Sequence, residues 1–446
     1  MSVKTCERRG REFLRGITSV CAVALVCITP VQSAAQTLAE NLIELLAAHK
    51  QIKAAEAGVD AARESAQAAL GGWYPTFNLT GSYGRETQNN FATADTSFIT
   101  RELDLSVTQL LWDFGLTNAS IRIARLTLEQ NQASLTAVRQ TMLLAGITAY
   151  LNVKRASAVL AFAQASEANI KRQTELETAL VERGAGFSTD VLQAKVQLAG
   201  AEARRVQNQG ALDVAQNGYR RVFYKEAPAS NTMRKIDVPK FLLPADVDES
   251  VQLTLEGNPS LRAAVIGSQA AGENINVTRA TGFYPTLQAI GEMKFKKEVA
   301  GTDGFEVEKL GKLQLTWPFN LGLTAINTLR ASERQYTANL ETVSDLRDQL
   351  EEQARNAWAN YTTALENAKL LRNQANIAAE FLELARKERQ LGKRSLIDVL
   401  AGETALINAN SDAISAETDV SVAGFTLLQV MGQLGLEVIV GGSVTN

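Results

Sequence analysis

Small apolar residues recur along the second half of the chain at the spacing of a helix seam. Their positions alternate steps of four and three without a break, which predicts a long helix packed along a heptad seam. Seven of the eleven positions are alanine, too small to fill the core of a leucine zipper, so neighbouring helices are expected to approach closely. The positions are Leu350, Ala354, Ala357, Tyr361, Ala364, Ala368, Leu371, Ala375, Ala378, Leu382 and Ala385.

The first half of the chain has a seam with the same cadence, interrupted only by Asn152 and Ser166. Prolines are absent from residues 76–227 and 319–446, so both stretches permit long uninterrupted helices. Together the two seams predict one long helix in each half. The seam positions of the first half are Leu135, Val138, Met142, Ala145, Ala149, Asn152, Ala156, Val159, Ala163, Ser166 and Ile170.

Each predicted long helix ends at a polar turn that contains glycine, at residues 182–186 and 390–393. Glycine readily adopts the left-handed conformation that closes a helix, and Ser188 and Ser395 are candidate caps for the helices that follow. Each half therefore contains a helical hairpin. The outgoing arm of the first hairpin, residues 117–182, would span about 100 Å at a rise of ~1.5 Å per residue.

Ahead of each long helix, apolar and polar residues alternate strictly in two segments. A period of two predicts strands with one apolar face, here two strands of roughly ten residues in each half, the length that crosses a membrane when tilted. A soluble sheet packed on helices would alternate in the same way. The apolar positions are Phe77, Leu79, Gly81, Tyr83, Leu103, Leu105 and Val107, then Leu287, Ala289, Gly291, Met293, Phe295, Leu313, Leu315 and Trp317. Aromatic residues near the strand ends suit the interfacial belts of a membrane barrel: Trp73, Tyr74, Trp112, Phe283, Tyr284 and Trp317.

The two halves are copies of one large unit. Residues 72–76 (GWYPT) return 210 positions later as 282–286 (GFYPT), and two further anchors recur at offsets of 207 and 208. The unit is far longer than the repeats of solenoids or propellers, which indicates a tandem duplication of one supersecondary element. The predicted organisation is a signal peptide (1–35), repeat 1 (36–227, β-hairpin about 76–113, helical hairpin about 115–224), a linker (228–246), repeat 2 (247–436, β-hairpin about 286–319, helical hairpin about 322–434) and a flexible tail (437–446).

The first 35 residues have the pattern of a secretory signal peptide. A basic front precedes an apolar stretch at 17–28 and a small-x-small sequence at 33–35. The apolar stretch is too short to span a membrane comfortably. All three cysteines lie inside this leader, so no disulfide is expected in the exported chain: Cys6, Cys21 and Cys27.

Charge and titratable residues argue against several classes of function. Without the leader the chain has 40 basic and 46 acidic residues, a formal net charge of −6, which indicates no surface for nucleic acid. The single histidine, His49, leaves no His-pair metal site and no Ser-His or Cys-His pair elsewhere. We expect His49 to be an ordinary residue on a helix surface. No motif indicates an enzyme, a cofactor or a resident metal.

Four strands per chain cannot close a barrel, and open sheet edges are not tolerated in lipid. The chain is therefore expected to oligomerise. Three copies supply twelve strands, so the predicted fold is an α+β membrane protein with a trimeric 12-stranded transmembrane β-barrel continuous with a long helical tube. A trimeric coiled-coil surface fibre or adhesin is the main alternative; it explains the heptads and the export but not the duplicated strand hairpins. A periplasmic enzyme would lack site residues.

In the order of its elements the mature chain resembles the TolC-like outer-membrane factors of Gram-negative bacteria. The matching motifs are residues 109–115 (QLLWDFG), residues 317–319 (WPF) and Gly-x5-Asp-Val at both turns. The resemblance implies a homotrimer in the outer membrane whose α-barrel extends into the periplasm. It also implies a passive duct that works with a periplasmic adaptor and an inner-membrane ABC or RND transporter. The sequence leaves the cargo open among drugs, polysaccharide and protein, and the WDFG element favours type I secretion and TolC-type efflux.

The resemblance further implies a gate at the helical tips, built from polar links and an acidic ring. Asp398 matches the ring position, where three carboxylates around one axis would bind a multivalent cation that blocks flow. Arg394 is placed to reach Thr189 and Asp190 on the facing hairpin. The alternative role of Asp190 and Asp398 is to cap the helices that follow the turns.

Two positions depart from the family pattern, so the network of links is expected to differ in detail. Ala401 stands where the family has a second acid, and Arg389 stands where a tyrosine is frequent. The resemblance places adaptor docking near Gly184 and Gly392.

Overall fold

The helices and strands follow the same order twice along the chain. The computed structural model describes residues 38–89, 95–319 and 321–437. The predicted leader (1–35) and nearly all of the predicted tail (437–446) lie outside the described residues. The elements are α1 (Leu38–Ala48), α2 (Lys50–Leu70), β1 (Thr76–Gln88), β2 (Thr96–Trp112), α3 (Leu116–Glu182), α4 (Ser188–Phe223), α5 (Val247–Gly257), α6 (Pro259–Phe283), β3 (Thr286–Lys297), β4 (Phe305–Thr316), α7 (Thr324–Gln390) and α8 (Leu396–Val430).

Each half holds one very long helix and a shorter one that returns beside it. The helices α3 and α7 are each 67 residues long, which corresponds to about 100 Å. No helix in the described ranges is both long and apolar enough to cross a membrane. In α7 seven of the eleven predicted seam positions are buried and four are half-buried, and no other residue between 350 and 385 is buried, so the heptad seam is confirmed there.

The seam predicted in α3 is right only near the end of the helix. Its last three positions are buried, but the predicted positions from 135 to 159 are half-buried. The most buried residues of that stretch include Leu143, Ile147 and Tyr150, which the seam omits. Several predicted positions instead line an open groove of about 770 Å³ between α3 and α4. The middle of α3 packs against both the core and α4, and a single heptad pattern captures only one of these faces.

The four strands form one antiparallel sheet in the order β1-β2-β3-β4. The hairpins of the two halves pair through β2 and β3, from Arg101 opposite Lys297 to Trp112 opposite Leu287. The outer strands, β1 and β4, each pair on one side only within the described chain. The sheet of a single chain therefore has two open edges, which is the premise of the predicted trimer.

The strands are longer than the roughly ten residues predicted. They comprise 13, 17, 12 and 12 residues in β1 to β4. The prediction counted only positions where apolar residues alternate with polar ones, whereas pairing continues into polar sequence, as at Thr87 opposite Ser97. The limits of the strands are set by backbone hydrogen bonds and not by the apolar pattern.

The six aromatic residues predicted to form belts all lie at one end of the sheet, where strands join helices. There the Trp73 indole donates to Asn118 Oδ1 at 3.2 Å, and the Trp317 indole donates to the Phe283 carbonyl at 3.0 Å. The prediction is therefore right for one end only. The sequence motifs that carry these aromatics are helix–strand junctions, and the hairpin turns at the other end contain none of them.

The largest core cluster joins residues from both repeats and from the predicted linker. Ile147 of α3 and Phe425 of α8 are fully buried in it. The linker, 228–246, is ordered against this cluster, and Tyr150 Oη donates a hydrogen bond to the Arg234 carbonyl at 3.0 Å. The middle of the long helices is thus held by the largest core cluster of the described chain.

His49 does not lie on a helix surface, which corrects the prediction. It caps the N-terminus of α2, where its Nδ1 accepts the Gln51 N–H at 3.3 Å and its ring stacks on Tyr224. In the second copy Asn258 caps α6 in the same way and accepts the Ser260 N–H at 2.9 Å. Both copies of the duplicated unit therefore have a break between two helices at this point, and a side chain caps the helix that follows.

Candidate functional site at the helical tips

The two helical hairpins end in tips of the same backbone geometry. After α3, the N–H groups of Gly184 and Ala185 donate to the carbonyls of Val181 and Leu180, both at 2.9 Å. The equivalent pair of bonds follows α7. This pair is a Schellman motif, which requires a left-handed residue. Glycine provides it at both tips, with φ of +75° at Gly184 and +70° at Gly392.

The helices that leave the two tips begin differently. Ser395 is confirmed as a cap, because its Oγ accepts the Asp398 N–H at 3.3 Å. Ser188 is not a cap: it is the first residue of α4, and the capping residue Phe187 makes no side-chain bond. Asp190 and Asp398 both lie in the first turn of their helices, where the positive end of the helix dipole favours a carboxylate.

The tips expose apolar side chains beside open space. Phe187 is 75% exposed and Leu391 is 70% exposed. Apart from the glycine and its two chain neighbours, no heavy atom of the described residues lies within 4 Å of the point where a side chain would begin on Gly184 or Gly392. Each tip therefore presents a bare backbone turn next to an apolar side chain, a surface that a partner's apolar residue can cover.

Arg394 contacts its own hairpin instead of Thr189 or Asp190. Its Nε donates to Glu388 Oε2 at 2.7 Å, and its guanidinium lies over the Phe381 ring, 5.3 Å from the ring centroid. The described residues of one chain show no hydrogen bond or ion pair between Arg394 and either predicted partner. The predicted link to the facing hairpin therefore stays a prediction about neighbouring protomers.

Two ion pairs near the tips were missed in the sequence. Arg389 Nη2 lies 2.6 Å from Glu177 Oε1, and the Glu177 side chain is only 6% exposed. Arg386 pairs with Glu403, whose side chain is 3% exposed. The first pair joins the end of α7 to α3 and so joins the tip of one repeat to the other repeat. Its partners are 212 residues apart, and the only signal in the sequence was that Arg389 departs from the resembled family.

Within one chain the described residues contain no cluster of three or more His, Cys, Asp or Glu side chains that could hold a metal ion. The predicted cation block involves three copies of the exposed Asp398 carboxylate, and so concerns the assembled trimer. It stays a prediction here.

Comparison with known proteins places this geometry in a family. The family model described as outer membrane efflux protein matches residues 41–222 and 250–433, which is most of both repeats. The chain belongs to the outer membrane efflux protein family. The two matched segments fall on the two copies of the duplicated unit.

Relatives and solved structures agree with this assignment. Outer membrane protein TolC of Vibrio cholerae is 26% identical over 414 residues, covering 89% of this chain and 91% of that protein. The alkaline protease secretion protein AprF of Pseudomonas aeruginosa is 23% identical over 316 residues, covering 69% and 65%. The structure of the outer-membrane channel OprN superimposes with a TM-score of 0.76 at 19% identity and covers 90% of each chain.

The predicted resemblance to TolC-like outer-membrane factors and the predicted fold class are confirmed. The chain is an outer-membrane export channel that extends into the periplasm, and it is not an enzyme. The alternative of a surface fibre or adhesin is wrong, because the family match covers both repeats, strands included.

Proposed function

We propose that this channel is the exit duct of a tripartite export system, gated and docked at its helical tips. The observation that supports this proposal is the pair of equivalent tips, each with an open left-handed glycine beside an exposed apolar side chain. Exposed apolar groups at a helix end need a partner to cover them, and a periplasmic adaptor is the partner available at that end.

In the proposed gate, tips from neighbouring protomers meet around the duct axis. Arg394 exchanges its bond with Glu388 for Thr189 or Asp190 of the facing hairpin. An exposed ion pair contributes only ~0–1 kcal/mol, but the same link repeated around the axis can hold an end closed until the adaptor opens it. Asp398 then contributes three carboxylates to the constriction, which favours cations over anions.

The proposed cargo follows from the relatives and from the WDFG element after β2. The family description refers to efflux, and one relative is named for protease secretion. We propose type I protein secretion, multidrug efflux or both, in keeping with a duct that selects little by itself and takes its cargo from the transporter.

Docking can be tested by site-specific crosslinking, because cysteine occurs only at positions 6, 21 and 27. A single cysteine replaces Phe187 or Leu391 at the tips, or Leu370 as the matched control. Leu370 is 61% exposed on α7, and it lies about 30 Å along the helix from the turn. Cells that also contain the adaptor are treated with a short thiol-reactive crosslinker, and adaptor adducts are counted for each variant.

Adducts from Phe187→Cys and Leu391→Cys but not from Leu370→Cys are the expected result. Adducts from Leu370→Cys alone would place the docking surface on the side of the helices and overturn the proposal. Conductance of the purified trimer in a planar bilayer tests the duct separately, and it is measured for the wild type and for the gate variant Arg394→Ser, Asp190→Ala. A trimer that does not conduct even with the gate links removed is not an exit channel.

A further inference from the structure

All charged residues on the outward face of the sheet are basic. The register places four of them on the face that carries Phe77 and the other apolar residues: Arg85, Arg101, Lys297 and Lys309. The opposite face carries six acidic and three basic residues, namely Glu86, Glu102, Asp104, Glu292, Glu306 and Glu308, with Lys294, Lys296 and Lys312. In a membrane barrel the apolar face meets lipid and the polar face lines the lumen. The lipid-facing side of the sheet therefore carries only positive charge, and the lumenal side carries a net negative charge.

The lumenal lysines have carboxylate partners on their own face. Lys296 lies 2.6 Å from Glu308, and Lys312 lies 3.1 Å from Glu292. No ion pair found in the described residues involves an outward cation of the strands. A neighbouring protomer brings the same four strands, so its outward face offers no carboxylate either. The outward cations must be neutralised by something other than this sheet.

Three of these cations, which we call the basic row, lie on the adjacent strands β1, β2 and β3; Arg85 is the diagonal neighbour of Arg101, two residues along β1 from the paired Tyr83. Arg101 is directly opposite Lys297, and its guanidinium lies over the Tyr83 ring, 5.7 Å from the centroid. On β1, Arg85 Nε donates to Ser97 Oγ at 3.2 Å. All three basic side chains are exposed. Because adjacent strands are ~4.8 Å apart, the row is compact enough for one multivalent anionic headgroup.

The height of the basic row on the barrel places it at the external interface of the outer membrane, opposite the periplasmic end. Lys297 is ten residues beyond Leu287 on β3, about 33 Å along the strand, or ~25 Å of height at the ~40° tilt of a barrel. That height equals the ~25 Å apolar band of such barrels. Leu287 lies beside Trp112 at the helical, periplasmic end. Lys309 is deeper, and its long side chain can extend toward the same interface.

We propose that the basic row binds the phosphate groups of anionic lipid headgroups in the outer leaflet. Guanidinium groups form bidentate, charge-assisted hydrogen bonds with phosphate, and lysine adds a point charge. Two aromatic residues are paired with members of the row, Tyr83 with Arg101 and Phe305 with Lys297. They are 73% and 67% exposed and would pack against the acyl boundary. The two interfaces of the barrel thus differ: tryptophan-rich at the periplasmic side and cationic at the outer side.

The test measures lipid binding to the full-length trimer in detergent by native mass spectrometry, with phosphorylated lipid A and its dephosphorylated form as probes. The triple variant Arg85→Gln, Arg101→Gln, Lys297→Gln removes the row. A matched control removes the three lumenal cations instead, Lys294→Gln, Lys296→Gln, Lys312→Gln. At ~1 kcal/mol for each basic residue near an anionic surface, the row variant should bind phosphorylated lipid roughly a hundredfold more weakly.

The lumenal control and the wild type should bind phosphorylated lipid A equally tightly, and both should bind its dephosphorylated form more weakly. The same spectra report whether each variant remains trimeric. If the lumenal triple variant dissociates, two single variants are compared instead: Lys297→Gln on the outward face and Lys296→Gln on the lumenal face. These two lysines are adjacent in sequence and lie on opposite faces of the sheet. Equal binding of both lipids, equal loss in both variants, or displacement by inorganic phosphate at comparable concentration would overturn the proposal.

Discussion

The pair between Arg389 and Glu177 should hold the second tip in place, and removing one partner should loosen it. The bond runs 2.6 Å from α7 to a carboxylate that is 6% exposed on α3. Replacement of Arg389 by methionine keeps an unbranched apolar stem and removes the guanidinium with its charge. It leaves the Glu177 carboxylate buried without its partner, and a neighbouring protomer at the tips can only increase that burial.

The magnitude follows from the burial of the two partners. Loss of one partner from a fully buried pair costs ~3–5 kcal/mol. The Arg389 side chain is 33% exposed, so water relieves part of this cost and we take about 2 kcal/mol. At 1.4 kcal/mol per factor of ten, the open state of the tip should become roughly thirtyfold more populated.

Amide hydrogen exchange of the intact trimer measures this directly, read on peptides that cover 386–396. Arg389→Met should speed exchange there, and adding Glu177→Gln should restore most of the protection because the buried charge is gone. Lys387→Met is the control, since its pair with Glu383 lies within one helix and both side chains are about two-thirds exposed. If Lys387→Met and Arg389→Met loosen the tip equally, or if the double variant stays loose, the pair does not position the tip.

Three further predictions concern the gate and the docking surface. Arg394→Ser with Asp190→Ala should raise the conductance of the trimer in planar bilayers several-fold without dissociating it, and unchanged conductance would remove these residues from the gate. Asp398→Ala should abolish block by multivalent cations in the same assay; persistent block would assign the constriction to other groups. Gly392→Trp should stop export while Gly392→Asn, which tolerates the left-handed conformation, should preserve it. Export by the tryptophan variant would indicate docking elsewhere.

The strands, the α7 seam and the glycine turns could be predicted because their sequence patterns occur in both copies of the duplicated unit. The period of two in both copies located the strands, and the step of four and three located the seam of α7. Glycine turns at the ends of the long helices were also predictable, because only a left-handed residue closes a Schellman motif well, as at Gly184 and Gly392. These features are local, so residues a few positions apart specify them.

Features that depend on distant contacts could not be read in this way. Arg389 and Glu177 are ordinary polar residues of two different helices until the fold brings them together. Within one chain Arg394 bonds to Glu388, one turn before the tip, and its predicted link to the facing hairpin depends on a neighbouring protomer. At Ser188 the composition suggested a cap, but the chain begins the helix one residue earlier, with Phe187 as the capping position.

The folding stability of the channel should depend on pH through His49, whereas the equivalent residue of the second copy, Asn258, should contribute no such dependence. Burial lowers the pKa of His49 below its ordinary value of 6.5, and the nearby Arg221 lowers it further. The capping bond from Gln51 requires an unprotonated Nδ1. The unfolded chain therefore binds a proton more readily than the folded one. The stabilising contribution of the neutral His49 is complete at pH values above the pKa of histidine in the unfolded chain, about 6.5. It decreases as the pH falls below that value and stops decreasing once the pH is below the lower pKa of the folded state.

The second copy supplies the replacement that isolates this effect, because Asn258 makes the same cap without titrating in this range. His49→Asn should match the wild type in thermal unfolding at pH 8 and lose less stability than the wild type between about pH 6.5 and 5. His49→Ala removes the cap and should cost about 1 kcal/mol at pH 8. Equal losses on acidification in the wild type and the asparagine variant would show that other groups cause the acid sensitivity. A loss at pH 8 in the asparagine variant would instead show that stacking on Tyr224, and not the cap, is what the histidine contributes to this helix start.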